Sequence, residues 1–294
     1  MKNFNLNSVA MICEFNASVW TARKLDRKKS DDVVQEAGAK SKGAARVNKN
    51  LLAGRSELED IAKLVTEARN YVYDNTLPWS DSGQRLLIGT RFPVFDKRIQ
   101  DYTDKFNDTV AAFVTLYPTL ITAQAMALGD MFDRSEFPPA SEIVHKFAIS
   151  CEYFPVPTSG DLRVDIGNQA QDELRERLEK IATARVDKAV TDMNEKFVAH
   201  LKRMADRLTT DIDPKTGDPV GRRFTETLVS SAFELCDLAR DYNLTNDPLI
   251  DLARKTLEAK LSGVTVMTLR EDPIKREDVR STVNSILNLS LIHI

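Results

Sequence analysis

QAQDELRERLEKIATARVDKAVTDMNEKFVAHLKRMADRL, residues Gln169 to Leu208, is the stretch that decides the fold. Its apolar residues mostly recur three or four positions apart, charged residues fill the positions between them, and no Gly or Pro interrupts it. This periodicity predicts a continuous amphipathic α-helix. At 1.5 Å per residue the helix would be roughly 60 Å long, so it needs a partner helix of similar length.

A second stretch, Pro93 to Leu128, has the same spacing and predicts that partner. Pro118 lies inside the pattern, where the helix should kink or restart, and Gly129 ends it. Between the two helices, Lys146 to Val156 and Asp161 to Ile166 alternate like strands around a Pro-Thr-Ser-Gly turn. We therefore predict a mainly α fold with an elongated, coiled-coil-like antiparallel pair of long helices and a small β-hairpin at its tip.

The remaining segments complete a four-part organisation. We predict an N-terminal segment with a basic arm at 1–55, the long helical pair with its hairpin tip at 56–210, a C-terminal helical bundle at 211–288, and a non-native tail at 289–294. The helices predicted outside the long pair are Glu57 to Asp74, Arg223 to Tyr242, Pro248 to Ser262 and Pro273 to Asn288.

Four connecting stretches are less regular. Asn7 to Trp20 suits either a strand or a short helix, and Val264 to Leu269 suggests a short strand. Asn75 to Arg91 is predicted to be a loop anchored by Trp79 and by Leu86 to Ile88, because Pro and Gly interrupt it. Thr210 to Gly221 is dense in Asp, Pro and Gly, which predicts an exposed turn or short hairpin.

Composition predicts a soluble cytoplasmic protein, with no membrane partner. The chain has 294 residues, of which 42% are apolar and 29% charged. It has no uninterrupted run of 18 apolar residues, and its first 15 residues are too polar for a secretory signal. Three widely spaced cysteines favour buried thiols in a reducing compartment.

The net charge of −3 is unevenly distributed. Residues 21–55 contain ten Lys and Arg against four Asp and Glu, a local charge of +6. Small residues and glycines in this segment predict a flexible or loosely helical basic arm. Such an arm can neutralise phosphates. The candidate nucleic-acid-binding residues are Arg23, Lys24, Arg27, Lys28, Lys29, Lys40, Lys42, Arg46 and Lys49.

Two alternatives for the arm are a solubilising role and docking on the acidic remainder of the same fold. No aromatic residues interleave with its charges to stack on bases, which favours these alternatives over nucleic acid.

No catalytic residue, metal site or cofactor is predicted. His145 and His200 have no Cys or His at metal-ligand spacing, and Glu142 with His145 forms only one Glu-x-x-His element, whereas di-iron bundles use two. A calcium loop at 211–217 is excluded because Lys215 occupies a ligand position. Phosphate-binding glycine loops and nucleophile elbows are also missing. We therefore predict that the chain is not an enzyme.

Five segments together resemble one family. They are SVWTARKL (Ser18 to Leu25), LPWSDSGQRLL (Leu77 to Leu87), FPVPTSGDLRVDIG (Phe154 to Gly167), RRFTETLV (Arg222 to Val229) and NLTNDPLIDLAR (Asn243 to Arg254). Over nearly its whole length the chain resembles phage and prophage proteins of the domain of unknown function 3150 family. The resemblance implies a viral or prophage source and no assigned activity or site residues. It also implies, by genomic association, an adaptor or substrate role beside a MoxR-type AAA+ ATPase and a von Willebrand A-like protein.

The last six residues, Leu289 to Ile294, read LSLIHI. They resemble the translation of an adapter used in transposase-based sequencing libraries, which predicts read-through on a truncated metagenomic gene. A natural apolar tail is the alternative.

Two functions follow from these observations. The first is a non-enzymatic bacteriophage or prophage protein that binds protein partners, as an adaptor working with the AAA+ ATPase, and that self-associates through its helical pair. The alternative is a phage nucleic-acid-binding protein that uses the basic arm 21–55. A third interpretation, an enzyme of unrecognised kind, has no motif to support it.

Overall fold

Helices dominate the chain, so the predicted mainly α class is confirmed. The computed structural model describes residues 6–41, 43–157, 168–212, 219–223, 225–243 and 247–290. The helices are α1 (Arg27–Glu36), α2 (Glu57–Asn75), α3 (Phe92–Leu128), α4 (Ala140–Ile143), α5 (Asn168–Arg207), α6 (Leu228–Asp241), α7 (Pro248–Leu261), α8 (Val266–Glu271) and α9 (Pro273–Ser290). The strands are β1 (Ala10–Ser18), β2 (Arg23–Asp26), β3 (Val47–Asn50), β4 (Leu77–Pro78), β5 (Arg85–Ile88), β6 (Ala148–Pro155), β7 (Thr210–Ile212) and β8 (Pro219–Gly221).

The chain forms two compact units. Unit 1 comprises Met1–Cys13, Asn75–Phe92 and Tyr153–Ile294, and unit 2 comprises Glu14–Asp74 and Pro93–Glu152. Each unit has its own apolar core.

Unit 1 combines short strands with the C-terminal helices. Strand β5 pairs antiparallel with β4 and with the first part of β1, where Ala10 lies opposite Ile88. The predicted loop at 75–91 therefore contains two strands, and its predicted anchors, Trp79 and Leu86 to Ile88, are buried. The stretch at 264–269, predicted as a strand, is largely helix α8, because the Thr265 hydroxyl caps it by accepting the Thr268 N–H.

Helix α5 matches the predicted long helix within one residue at each end. Only its second half is deeply buried: Met193, Leu201 and Met204 lie in the core, whereas Ile181 is 40% exposed. The buried half packs against α6, α9 and β4. The long helix therefore finds its partners among the C-terminal helices of its own unit.

Unit 2 is built around α2 and α3. Tyr71 of α2 stacks on Phe95 of α3, with 5.5 Å between the ring centroids, and Phe106 and Phe113 are buried further along α3. Helix α3 continues through Pro118 and does not restart there.

The predicted pairing of the two long helices is not confirmed, because α3 and α5 belong to different units and each packs within its own. The predicted hairpin tip is not confirmed either. Strand β6 lies beside β1 in the sheet, and the second predicted strand, 161–166, lies outside the described residues. Residues 291–294 of the predicted tail are also outside them.

Candidate functional site

The basic segment 21–55 folds into a β-α-β element within unit 2. Strands β2 and β3 pair antiparallel, with Lys24 opposite Lys49, and α1 connects them. Ala22, Leu51 and Leu52 are buried where the element joins the core, and the Leu51 N–H donates to the Ala22 carbonyl at 2.8 Å. The expectation of a flexible or loosely helical arm therefore does not describe 21–36 and 47–55, which are anchored at both ends.

Helix α1 is held at its first turn by side-chain hydrogen bonds. Asp26 is its N-cap and accepts the Lys29 N–H at 2.9 Å. The buried Ser30 hydroxyl donates to the Asp26 carbonyl at 2.6 Å and accepts the Val47 N–H at 2.9 Å, which ties α1 to β3. The backbone under the basic side chains is therefore fixed.

These basic side chains line a cleft of about 830 Å³. Residues 23–29, from β2 and the start of α1, form one part of its lining, the basic wall. Residues 130–133 and Glu136, which follow the end of α3, form another part, the apolar wall.

The structure brings together six of the nine predicted basic residues. Five of them are exposed on the cleft wall: Arg23, Lys24, Arg27, Lys28 and Lys29. Lys49 also lines the cleft but is only 7% exposed, pairs with Glu136, and donates to the Met131 carbonyl at 2.7 Å. Lys40 and Arg46 are exposed outside the cleft lining, and Lys42 lies outside the described residues.

Several carboxylates in the cleft already have local partners. Asp26 caps α1, and Glu136 pairs with Lys49. Asp133 caps the 3-10 turn Arg134–Glu136, accepting the Ser135 hydroxyl at 2.7 Å and the Ser135 N–H at 2.8 Å. These hydrogen bonds, helped by the charges of Lys49 and Lys24, lower the pKa of Asp133.

The exposed Lys and Arg side chains of the cleft form fewer ion pairs and hydrogen bonds within the protein than the carboxylates do. Lys29 forms an exposed ion pair with Asp32 at 3.4 Å. In the part of the chain that the structure describes, Arg23, Lys24, Arg27 and Lys28 have no carboxylate within 4 Å. These four side chains can therefore bind an external anion without breaking an ion pair.

The cleft also contains an apolar surface that sequence reasoning missed. Met131 is 40% exposed, and the half-buried Phe132 ring packs against Phe137 with 5.4 Å between centroids. Met131 and Phe132 lie about a hundred positions after residues 23–29, so the composition of the basic segment could not indicate them.

Metal-binding geometry does not occur among the described residues, where no group of three His, Cys, Asp or Glu side chains could hold a metal ion. His200 is half-buried, and burial, aided by the charge of Arg203, lowers the pKa of its imidazole. Cys236 is a buried thiol whose pKa is raised by burial to about 12, which makes it a poor nucleophile.

The segment Gly89–Met131, which includes α3, is long and apolar enough to cross a membrane by length and composition alone. Core helices of soluble proteins meet the same criterion, and Phe106, Phe113 and Tyr117 of this helix are buried in unit 2. The criterion therefore assigns no location to the protein.

Comparison with known proteins finds no matching family model, no similar curated protein and no similar solved structure. The resemblance to the phage family therefore stays a prediction.

Proposed function

We propose that the protein is a non-enzymatic phage or prophage protein of the host cytoplasm that binds nucleic acid through the basic cleft. The observation that carries this proposal is the placement of five exposed cations, Arg23, Lys24, Arg27, Lys28 and Lys29, along one wall of the cleft. A flexible solubilising arm does not require its charges to meet on one surface.

The phosphate backbone is the ligand that this wall suits best. Clustered Lys and Arg side chains neutralise successive phosphates and release counterions. The fixed backbone of β2 and α1 lowers the entropy cost of ordering these side chains on binding.

The test is fluorescence-anisotropy binding of oligonucleotides across a salt series, using the full chain. If five cations each neutralise one phosphate, the log-log slope on duplex DNA should be about −4.5. The variant Arg27→Glu/Lys28→Glu should abolish most of this binding. It should also fold, because acidic residues are favourable in the first turn of a helix.

A matched control is Lys40→Glu/Arg46→Glu, which makes the same charge change on exposed residues outside the cleft lining. We expect a much smaller loss of affinity for it. Equal losses for the two double variants, or no binding at low salt by the unmodified protein, would exclude the cleft as a nucleic-acid site.

A second candidate, the protein-partner adaptor, is favoured by the outer surface of α3. Residues 109–129 contain no charged side chain, and Leu116 and Met126 on this helix are 48% and 90% exposed. The Thr115 and Thr122 hydroxyls donate to backbone carbonyls four residues earlier, so they need no partner on this surface. An uncharged exposed helix of this length suits a protein interface.

We propose a MoxR-type AAA+ ATPase, the partner that the phage-family resemblance implies, as the first partner to test for this surface. Met126→Glu should weaken binding to the purified ATPase in calorimetric titration, whereas Arg27→Glu/Lys28→Glu should leave it unchanged. Self-association through the same surface would appear as a concentration-dependent mass in sedimentation equilibrium.

The elongated pair of long helices with a hairpin tip stays part of this proposal. Distances between spin labels placed on α3 and on α5 test it, because paired helices have axes about 8–10 Å apart along their length.

A further inference from the structure

The two walls of the basic cleft differ in chemistry. The basic wall, residues 23–29, carries the exposed cations, and the apolar wall carries Met131 and Phe132 between Asp130 and Asp133. A ligand that contacts both walls therefore needs both anionic groups and a flat apolar group.

We propose that the cleft binds single-stranded nucleic acid, with the phosphates on Arg23, Lys24, Arg27 and Lys28 and an unpaired base against Phe132 and Met131. This inference rests on the proposed function and specifies its substrate class. Single-strand sites generally combine a basic groove with aromatic side chains on which bases stack.

The apolar wall is held in place before any ligand binds. The Phe132 N–H donates to the Gly129 carbonyl at 2.9 Å, and the Phe132 ring is supported by Phe137. The Met131 carbonyl accepts the Lys49 ammonium at 2.7 Å. A preformed wall of this kind reduces the ordering cost of stacking a base.

Two carboxylates, Asp130 and Asp133, restrict where the phosphates of a bound strand can lie in the cleft. Asp130 and Asp133 flank the apolar residues and repel phosphates, which favours contacts of the sugar-phosphate backbone with the cations of residues 23–29. The hydrogen bonds from Ser135 lower the pKa of Asp133 further below neutral pH, so its carboxylate is charged there. Carboxylates at this position can also accept hydrogen bonds from base amino groups.

The geometry disfavours a duplex. The bases of a duplex are stacked inside it, so none can reach Phe132 without being flipped out, which costs a few kcal/mol. A volume of about 830 Å³ lies within the range of pockets that enclose small molecules. The cleft therefore suits a short length of unpaired strand.

The experiment compares three fluorescein-labelled probes of equal length at one salt concentration: single-stranded DNA, the same sequence as a duplex, and a strand with abasic sites. We expect the single strand to bind at least about fivefold more tightly than the other two, since stacking contributes about 1–3 kcal/mol per base. The salt slopes of the single and abasic strands should agree, because both have the same phosphates.

The variants Phe132→Leu and Phe132→Trp test the stacking residue. Phe132→Leu keeps an apolar side chain against Phe137 but removes the aromatic face, so it should weaken single-strand binding about 5- to 160-fold without changing abasic-strand binding. Phe132→Trp should retain the affinity. Its additional tryptophan fluorescence should be quenched by the single strand and not by the abasic strand.

The outcomes separate this inference from the proposed function. If no probe binds at low salt, both fail. If all three probes bind equally and Phe132→Leu changes none of the affinities, the cleft is a general phosphate-backbone site, and the single-strand inference alone is overturned.

Discussion

The hydroxyl of Tyr242 lies 3.0 Å from the carbonyl oxygen of Leu86 and so joins the end of α6 to strand β5. The same hydroxyl lies 3.0 Å from the Asn75 carbonyl and accepts the Ile88 N–H at 3.4 Å. Tyr242 has no exposed surface, and burial raises the pKa of its phenol, which keeps the donor protonated. One side chain thus connects three parts of unit 1.

We expect Tyr242→Phe to lower the free energy of unfolding by about 1–3 kcal/mol, because it removes the donor from buried carbonyl groups. Urea unfolding followed by circular dichroism measures this change. The control is Tyr102→Phe, because the Tyr102 hydroxyl has no hydrogen-bond partner among the described residues. A Tyr242→Phe effect no larger than that of the control would contradict the structural role of this hydroxyl.

Lys49 and Lys24 lie opposite each other on β3 and β2 but differ in burial. Lys49 is buried against Glu136, whereas Lys24 is exposed in the cleft. We expect Lys49→Met to destabilise the protein by about 1–3 kcal/mol, because it leaves the largely buried Glu136 carboxylate without its cation. Lys24→Met should change stability by less than about 0.5 kcal/mol, as exposed substitutions usually do.

In oligonucleotide binding the larger effect should come from the other variant: Lys24→Met should weaken the complex, and Lys49→Met should not. Adding Glu136→Gln to Lys49→Met should restore part of the lost stability. If Lys49→Met left stability unchanged but abolished binding, Lys49 would be a ligand-contacting residue and its buried ion pair would be unimportant.

The long helices were predictable because three-and-four spacing persists over many turns in α2, α3 and α5. The short strands β4 and β5 were not, because Leu86 to Ile88 show no alternation and are buried on both faces. Glycines and small residues in the basic segment suggested flexibility, yet the Leu51 to Ala22 hydrogen bond and the Ser30 contacts order it.

The cations of the candidate site were predicted from local composition. Its apolar wall was not, since Phe132 meets them only through the return of the chain after α3. Nor was the burial of Lys49, which depends on Glu136 from that same distant segment.

Asp26 has two separable effects, as the N-cap of α1 and as a negative charge in the cleft. Asp26→Ala should lower stability by about 1 kcal/mol, because the Lys29 N–H loses its acceptor. Asp26→Asn should preserve stability, because Asn caps helices as well as Asp does. Urea unfolding and hydrogen exchange of the α1 amides measure both variants.

Measuring oligonucleotide binding by Asp26→Asn separates the effect of the Asp26 charge from its effect as the N-cap of α1. Asp26→Asn should bind more tightly than the unmodified protein at low salt, and the difference should disappear at high salt, because only the charge has changed. A loss of affinity in Asp26→Asn would show that the carboxylate itself assists binding.

Alkaline pH should destabilise the protein through groups whose pKa is raised in the folded state. Burial raises the pKa of the Cys236 thiol from 9.0 to about 12, with a further contribution from Glu258. Burial likewise raises the pKa of Tyr117 from 10.0 to about 12, and its hydroxyl donates to the Pro138 carbonyl at 3.1 Å. Both groups therefore lose their protons in the unfolded chain at a lower pH than in the folded one.

The stability that these groups contribute should be complete below about pH 9 and should fall as pH rises toward 12, since deprotonation then favours the unfolded chain. Urea midpoints measured between pH 7.5 and 10.5, with a reductant present to prevent disulfide formation, test this window. Cys236→Ala should remove the part of the decline that begins near pH 9 and leave the part that begins near pH 10, because Tyr117 and Tyr242, whose pKa values are also raised by burial, are unchanged. An unmodified protein whose midpoint stays constant up to pH 10.5 would show that neither group remains buried and protonated in the folded state.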